Sequence, residues 1–540
     1  MASTIHGYEG TGRSLSIKLI NGLRQQSITS ENSLSGSASR ILKEVKLNQA
    51  IRYADDDPIE DWLNRLLILD ASDDQGILEG YPQPEDLELY LVDRDTLFSF
   101  HKGSEAFLKK LVNLFVSSHY KNSPNDLQLL SDAPAHSIFV LCKNIEKNKE
   151  SSKGIPDIYA AIQVCEEGGI SKNVILNHNK RGFKPAGDLI PWTVSEHYQD
   201  NEFPNLKGVR VVRIATHPDC QRMGYGSRAL SLLTDFYEGK IINLNETEEE
   251  TKLSKVKQQV SNESVLKTEE IKPRKKLKPL LTKLCDTKPS HVFYIGTAFG
   301  LTKELFNFWR KAEFLPVYLK LTENDITGEH SCIMLKPFER EDLKLDFIES
   351  TNEYGNKIKW LNPFLSDFKK RLTTLLSFDL KNLSIKLALS LLDPQISSTT
   401  NENKDEEDLE DSSILSISKK ELDTFISKYD FKRMELYTKN LVKYQMIIDM
   451  VPSIAKFYFL KKFPSVKLAF TQAAILLGFG LQYKSFEVIN EELGIQTNQL
   501  LAMFNKMIKK FTSAIRTIYE KEIETDTRVI KSEVFYFNFS

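Results

Sequence analysis

The chain has 540 residues, of which 41% are apolar, so two or three domains with real cores are expected. Its 72 basic and 74 acidic residues give a net charge of −2, which does not by itself indicate nucleic-acid binding. The five cysteines include no CxxC pair and no apolar stretch is long enough to cross a bilayer, so we expect a soluble chain with free thiols and no metal site.

The first residues carry a pattern that is similar to a phosphate loop. Gly7 and Gly12 bracket four residues and precede Arg13-Ser14, with arginine where a Walker loop has lysine. A true Walker loop follows a strand and places a flexible ammonium on the phosphates. The six residues before Gly7 leave little room for that strand, so we interpret the pattern as an imitation of a Walker loop in which Arg13 begins a helix over residues 13–25.

An alternation of strands and helices fills the middle of the chain and predicts an α/β domain. Apolar runs and helical spacing give this order: strand 88–100, helix 103–118, strands 137–143, 157–166 and 209–216, helix 226–238, strand 291–296, helix 302–312, and strands 314–321 and 331–336. A polar insert at 240–290 interrupts it. The insert's basic cluster KPRKKLKP is a nuclear signal, an RNA contact or simply a solvated loop.

The joint between strand 209–216 and the helix after it is the most informative part of the chain. Pro218 and Asp219 end the strand, and Gly224 and Gly226 open the helix. The free amide hydrogens of a first helical turn bind anions, assisted by the helix dipole. The spacing fits neither a Walker loop nor a dinucleotide loop. It predicts another kind of phosphate cradle, with an ordinary strand-turn-helix joint as the alternative.

Beyond Pro337 the apolar spacing becomes helical. The helical segments are 364–393, 418–461, 466–483 and 485–520. Gly494 is expected to make the turn of a helix-turn-helix-like passage. The predicted buried stripe after that turn consists of Leu500, Met503, Phe504, Met507 and Phe511, and the basic residues off the stripe are Lys506, Lys509 and Lys510. The acidic stretch 396–413 is expected to be disordered.

The loop and its surroundings resemble a known superfamily. Gln-x-x-Gly-x-Gly at 221–226, directly after a strand, resembles the pyrophosphate loop of the acetyl-CoA-dependent N-acetyltransferases, the GNAT superfamily. The order of strands and helices around it is also similar to that fold. The resemblance implies a mixed central sheet flanked by helices, with the coenzyme diphosphate bound on the loop.

A narrower resemblance covers nearly the whole chain. Its motifs are GYEGTGRSLSIKLI (7–20), YKNSPNDLQLLSDAPAH (120–136), GDLIPWTVSE (187–196), RIATHPDCQRMGYGSRAL (213–230), FGLTKELFNFWRKAEFLPVYLK (299–320) and TGEHSCIMLK (327–336). Together they look like the C-terminal half of the eukaryotic RNA cytidine acetyltransferases. This implies a remnant of a RecA-like ATPase module at 1–60, the acetyltransferase domain at 61–340 and a helical RNA-binding tail at 341–540.

The resemblance also implies site residues and partners. Acetyl-CoA would contact Ile214, Ala215, Thr216, Gln221, Arg222, Met223, Gly224, Tyr225, Gly226, Ser227 and Lys311. Arg13 would touch ATP in the full-length family, and Lys121 would lie on the RNA side together with the tail lysines. The implied partners are rRNA, tRNA, a tRNA adaptor protein and small nucleolar guide RNAs. A homodimer, a nuclear and nucleolar location and no membrane partner are expected as well.

The expected reaction is transfer of acetyl from acetyl-CoA to the 4-amino group of cytidine in small-subunit rRNA and in tRNA, in the service of ribosome biogenesis. His119 is the first choice of base, with His136, His217 and His330 behind it, because an imidazole titrates near neutrality. Each of these is alternatively a packed or surface histidine. Two other functions stay open: a protein or lysine N-acetyltransferase, and a non-catalytic RNA-binding scaffold for ribosome assembly.

Overall fold

A computed structural model describes most of the chain in separate stretches. They are 53–69, 80–118, 123–145, 154–181, 187–241, 278–325, 327–338, 360–392 and 417–537, with a few single residues between. Several sequence predictions lie outside these residues, namely Arg13, His119, Lys121, most of the insert 240–290 and the acidic stretch 396–413.

Eight strands form one mixed sheet in the order β5-β1-β2-β3-β4-β6-β8-β7. Their bounds are β1 Leu87–Val92, β2 His136–Lys143, β3 Ala160–Glu167, β4 Gly208–Thr216, β5 Leu281–Lys283, β6 Tyr294–Gly300, β7 Leu315–Glu323 and β8 His330–Pro337. The neighbours from β5 to β4 pair antiparallel, whereas β4 pairs parallel with β6. This confirms the predicted mixed sheet flanked by helices.

The described residues fall into two compact units, the first made of those up to Phe299 together with 333–338, and the second of 300–332 together with the described residues from 360 onward. The helices of the first unit are α1 Pro58–Leu67, α2 Arg94–Leu97, α3 Lys102–Ser118, α4 Pro124–Asp132, α5 Lys172–Arg181, α6 Leu189–Tyr198 and α7 Tyr225–Tyr237. Those of the second are α8 Lys303–Lys311, α9 Asn362–Leu375, α10 Ile385–Leu392, α11 Lys419–Phe425, α12 Lys428–Thr438, α13 Val451–Phe459, α14 Phe470–Gly480, α15 Phe486–Leu493 and α16 Thr497–Phe537.

The central strands of the first unit are covered on both faces, because their side chains alternate between two helices. Ile138 and Val140 on β2 share a buried cluster with Phe107 and Leu111 of α3. Phe139, between them on β2, points to the other face, where its ring lies 5.8 Å from that of Phe236 on α7. The sheet therefore lies between α3 and α7.

The second unit has an aromatic core around α16. Leu500, Phe504, Met507 and Phe511 are fully buried, as the predicted stripe requires, whereas Met503 is only half-buried. The ring of Phe504 lies 5.6 Å from that of Phe479 on α14. Gly494 ends α15 with φ 70°, the left-handed conformation that a helix terminus favours in glycine.

One predicted strand is wrong in its second half. The strand expected at 88–100 ends at Val92, and α2 follows it. Asp93 ends the strand because its side chain accepts the amide hydrogen of Thr96 at 2.9 Å and so caps the first turn of α2. None of the helices in the described stretches combines the length and the apolar run that a bilayer crossing requires.

Candidate functional site

The sheet opens between β4 and β6. Within the described residues their parallel pairing runs from Gly208↔Tyr294 to Val211↔Thr297 and ends there, although both strands continue. On the other side of β4 the register with β3 shifts between Gln163 and Val164, which leaves Val212 as an extra, bulged residue. A bulge bends its strand, so β4 leaves β6 at this point and a gap opens between them.

The backbone of β4 presents polar groups to this gap. His217 donates its amide hydrogen to the carbonyl of Tyr159 at 2.9 Å, which fixes the alternation of the antiparallel bonds between β3 and β4. Since every second residue of β4 bonds to β3, the backbone groups of Ala215 and Arg213 also bond to β3. The amide and carbonyl groups of Ile214 and Thr216 therefore face the gap, where they can bind an extended polar chain.

A tight loop joins β4 to α7. A single helical turn, Pro218–Cys220, follows the strand, and the next residues adopt left-handed conformations at Arg222, with φ 66°, and at Gly224, with φ 92°. Gly224 is the N-cap of α7 and offers no side chain to cap it. A Cβ at Gly224 would also lie 3.4 Å from Pro84.

The loop leaves a row of amide hydrogens available. The first amide of α7 bonded into the helix is that of Arg228, which donates to the Gly224 carbonyl at 2.9 Å. The amide hydrogens for which we find no partner anywhere in the described stretches are those of Arg222, Gly224, Tyr225, Gly226 and Ser227. Side chains do not plug the loop, since residues 221–224 and Ser227 are exposed. A row of amides at a helix N-terminus fits a diphosphate.

Tyr225 contributes to this loop in a different way from its neighbours. Its side chain is buried, its hydroxyl donates to the carbonyl of Pro82 at 2.6 Å, and its ring lies 5.4 Å from that of Tyr159. Tyr159 in turn donates to the carbonyl of Gly80 at 2.8 Å. Only the backbone of Tyr225 can reach a ligand, while its side chain fastens segment 80–86 against the loop.

Removing this hydroxyl tests its contribution. Tyr225→Phe is expected to lower the free energy of unfolding of the first unit by about 1 kcal/mol, since the Pro82 carbonyl loses a hydrogen bond. Urea denaturation of both proteins measures the difference. A variant as stable as the wild type would show that this bond does not hold segment 80–86.

A second polar cluster lies on the α3 face of the sheet, and His136 is the one member of it that the sequence predictions named. Arg213 is only 12% exposed, and its Nη2 lies 2.8 Å from Oδ1 of Asp126 on α4. Next to Arg213 in the sheet, Gln163 Nε2 lies 2.9 Å from Nδ1 of His136. The available signal was a charged residue, Arg213, between the apolar residues Val212 and Ile214 of its strand.

His136 is held in its neutral form. Burial lowers its pKa first, and the positive charges of Arg210, Arg94 and Arg213 lower it further. The unfolded chain therefore takes up this proton at a higher pH than the folded one. The stability that results is complete above about pH 6.5 and is lost as the pH falls toward the folded pKa.

This gives a pH-dependent expectation. In His136→Gln the free energy of unfolding should fall less steeply between about pH 6.5 and 5 than in the wild type, because one linked proton is removed. Denaturation midpoints over a pH series measure both slopes. If the variant kept the wild-type slope, another group would be responsible for it.

The remaining predicted site residues are distributed over both units. His217 Nδ1 lies 3.7 Å from a carboxylate oxygen of Asp219, and His330 Nδ1 lies 3.0 Å from the carbonyl of Lys320. Lys311 is exposed in the last turn of α8. On α16 Lys506, Lys509 and Lys510 are all exposed, and Lys510 donates to the Lys467 carbonyl at 2.6 Å. Their roles stay predictions.

Comparison with known protein families gives matches for three regions of the chain. Residues 110–339 match the family described as GNAT acetyltransferase 2, and residues 360–535 match a possible tRNA binding domain. Residues 1–70 match the helicase domain of RNA cytidine acetyltransferase NAT10/TcmA.

Full-length relatives agree with these matches. The chain is 46% identical to the RNA cytidine acetyltransferase of Dictyostelium discoideum over 97% of its own length and 50% of the relative's. It is 46% identical to that of Homo sapiens and 43% identical to that of Saccharomyces cerevisiae, over 99% of its own length in each case and 50% and 51% of theirs. The chain spans about half the length of these curated relatives.

Proposed function

The chain belongs to the RNA cytidine acetyltransferase family, and we propose that it transfers an acetyl group from acetyl-CoA to the 4-amino group of cytidine in RNA. The observation that supports this most strongly is the gap between β4 and β6 beside a loop of uncommitted amide hydrogens. Together they suit a ligand with a diphosphate at one end and a long polar arm.

Each part of the site has a task in this reaction. The amides of Arg222 and of Gly224 to Ser227 hold the diphosphate, and the backbone groups of Ile214 and Thr216 hold the arm that carries the thioester. Acetyl-CoA brings an acetyl group already activated as a thioester.

The acceptor sets the remaining demands. The amino group of cytosine is conjugated with its ring and is a poor nucleophile, so the protein must position it and help to remove a proton. The base must also leave its pair, because pairing occupies that amino group. We retain His119, outside the described stretches, as the base.

The finer assignments follow from the family. We propose small-subunit rRNA and tRNA as substrates, consistent with the match of residues 360–535 to a possible tRNA binding domain. In the whole protein, ATP would meet Arg13, within the region that matches the helicase domain. A tRNA adaptor protein, guide RNAs, a homodimer, a nucleolar location and a role in ribosome biogenesis complete the proposal.

A labelling experiment separates the candidate functions. The chain is incubated with labelled acetyl-CoA and either total RNA or histones, with and without ATP, and the products are digested to nucleosides or amino acids. We expect label in N4-acetylcytidine. Label on lysine would instead indicate a protein acetyltransferase, and RNA binding without any transfer would indicate a scaffold.

A further inference from the structure

One arginine at the start of α7 has a donor without an acceptor. Arg228 is half-buried, and its Nε is closed off from water with no hydrogen-bond partner. Within the described stretches we find no ion pair for its side chain either. Other half-buried arginines each contact an oxygen of the chain, namely Arg94, Arg210, Arg213, Arg371 and Arg433. Because a buried donor without an acceptor costs free energy, Arg228 is suited to a ligand that offers one.

The position of Arg228 is unfavourable for a cation unless an anion binds beside it. The N-terminal end of a helix carries a partial positive charge, which stabilises anions and repels cations. The first turn of α7 contains no acidic residue that would offset this charge, whereas the first turn of α4 contains Asp126. Arg222, exposed in the loop, adds a second cation. The loop and the start of α7 therefore concentrate positive charge that a bound polyanion would neutralise.

Arg228 lies next to the row of amide hydrogens in the loop. Its own amide donates to the carbonyl of Gly224 at 2.9 Å, and residues four apart are neighbours on one helix face. Helical side chains lean toward the N-terminus of their helix, so that of Arg228 leans toward the loop. The space over Gly224 stays open, because a Cβ there would meet only Pro84 within 4 Å. A group held on the Gly224 amide can therefore be reached by the guanidinium.

A guanidinium supplies what the loop amides lack. The amides are neutral donors with partial charges, whereas the diphosphate of CoA carries full negative charges on its oxygens. A guanidinium is always protonated, and its planar fork of N–H groups matches two oxygens of one phosphoryl group. The amides and Arg228 together thus offer both the donors and the charge that a diphosphate requires.

We propose that Arg228 is the charged partner of the coenzyme diphosphate and donates to its phosphoryl oxygens while the loop amides hold the others. The proposal rests on the proposed function and adds to it a side chain that the glycine pattern at 221–226 does not contain. Arg228 would contact the coenzyme far from the thioester. Its loss should therefore raise the KM for acetyl-CoA and leave kcat at saturating acetyl-CoA unchanged.

The test is calorimetric titration of Arg228→Gln with three ligands. CoA and dephospho-CoA, which lacks only the 3′-phosphate, both contain the diphosphate, whereas pantetheine contains no phosphate. The variant should bind CoA and dephospho-CoA each about 10-fold more weakly than the wild type, the usual effect of losing one hydrogen bond to a charged group. Its affinity for pantetheine should not change. A loss confined to CoA would assign Arg228 to the 3′-phosphate and overturn the proposal.

The stability of the free protein separates this role from a structural one. Without ligand, Arg228→Gln should unfold at the same temperature as the wild type or a higher one, because it removes an unpartnered cation from a helix N-terminus. A lower unfolding temperature of the free variant would indicate a structural arginine instead. Arg65→Gln is the control, since it makes the same change at an exposed position of α1 and should bind all three ligands as the wild type does.

A lysine variant and the wild type complete the experiment. Arg228→Lys retains the charge but not the fork of donors, and it should bind CoA more tightly than Arg228→Gln does. If folded Arg228→Gln bound CoA with wild-type affinity, Arg228 would not contact the diphosphate, even where the wild type acetylates RNA. A folded wild type that bound no CoA would contradict the proposed function itself.

Discussion

Substituting Gly224 with valine is expected to weaken acetyl-CoA binding by about 100-fold or more and to reduce acetyl transfer to the same extent. Gly224 adopts φ 92°, which a β-branched residue resists by roughly 1–2 kcal/mol, so the loop must change its conformation. Two or more amides would then no longer point at the diphosphate. Each such hydrogen bond to a charged group contributes about 1.5–3 kcal/mol to binding. Calorimetric titration with CoA measures the loss.

A control variant separates strain from loss of the site. Gly169, in the turn between β3 and α5, is also exposed and left-handed, with φ 69°, and a Cβ there meets nothing within 4 Å. Gly169→Val carries a similar conformational cost but should bind CoA as the wild type does. If Gly224→Val bound CoA with wild-type affinity, the loop could not be the diphosphate site.

The second large effect is expected at Glu167, whose carboxylate is 2% exposed. One oxygen accepts from Nε of Arg210 at 2.5 Å, and the other accepts the amide hydrogen of Ile190 at the start of α6 at 3.0 Å. Glu167→Ala leaves a mostly buried guanidinium without its partner. The free energy of unfolding of the first unit should fall by about 3–5 kcal/mol, as denaturant titration would show.

Lys172 and Glu202 provide the matched comparison. They form an ion pair at 2.9 Å whose side chains are 61% and 46% exposed. Glu202→Ala should cost at most about 1 kcal/mol, because water solvates both charges when the pair is broken. If the free energy of unfolding fell equally in the two variants, the burial of Glu167 would add nothing to the stability that its ion pair provides.

The sequence allowed the loop to be predicted because its signals are local. The glycine spacing at 221–226, the apolar strand before it and the apolar face of the helix after it lie within about thirty residues, and short-range patterns of this kind determine turns and helix ends. The cap of α4 was also readable, since Ser123, Pro124 and Asp126 form a helix-start pattern. That helix was nevertheless missed.

The gap and the polar cluster around Arg213 could not be predicted in the same way, because they depend on pairing between distant segments. The bulge at Val212 exists only as a mismatch of register between β4 and β3, and no single strand shows it. The ion pair between Arg213 and Asp126 joins residues that are 87 positions apart. Such contacts follow from the fold and carry no spacing rule.

The most direct test of this account is amide hydrogen exchange in the loop, followed by mass spectrometry of peptides that cover residues 213–230. Saturating CoA should slow exchange of the amides of Arg222 and of Gly224 to Ser227, whereas pantetheine, which lacks the diphosphate, should leave them unchanged. Unaltered exchange in this loop with CoA bound, and slowing at some other helix N-terminus, would contradict the assignment of the diphosphate site and with it the proposed transfer reaction.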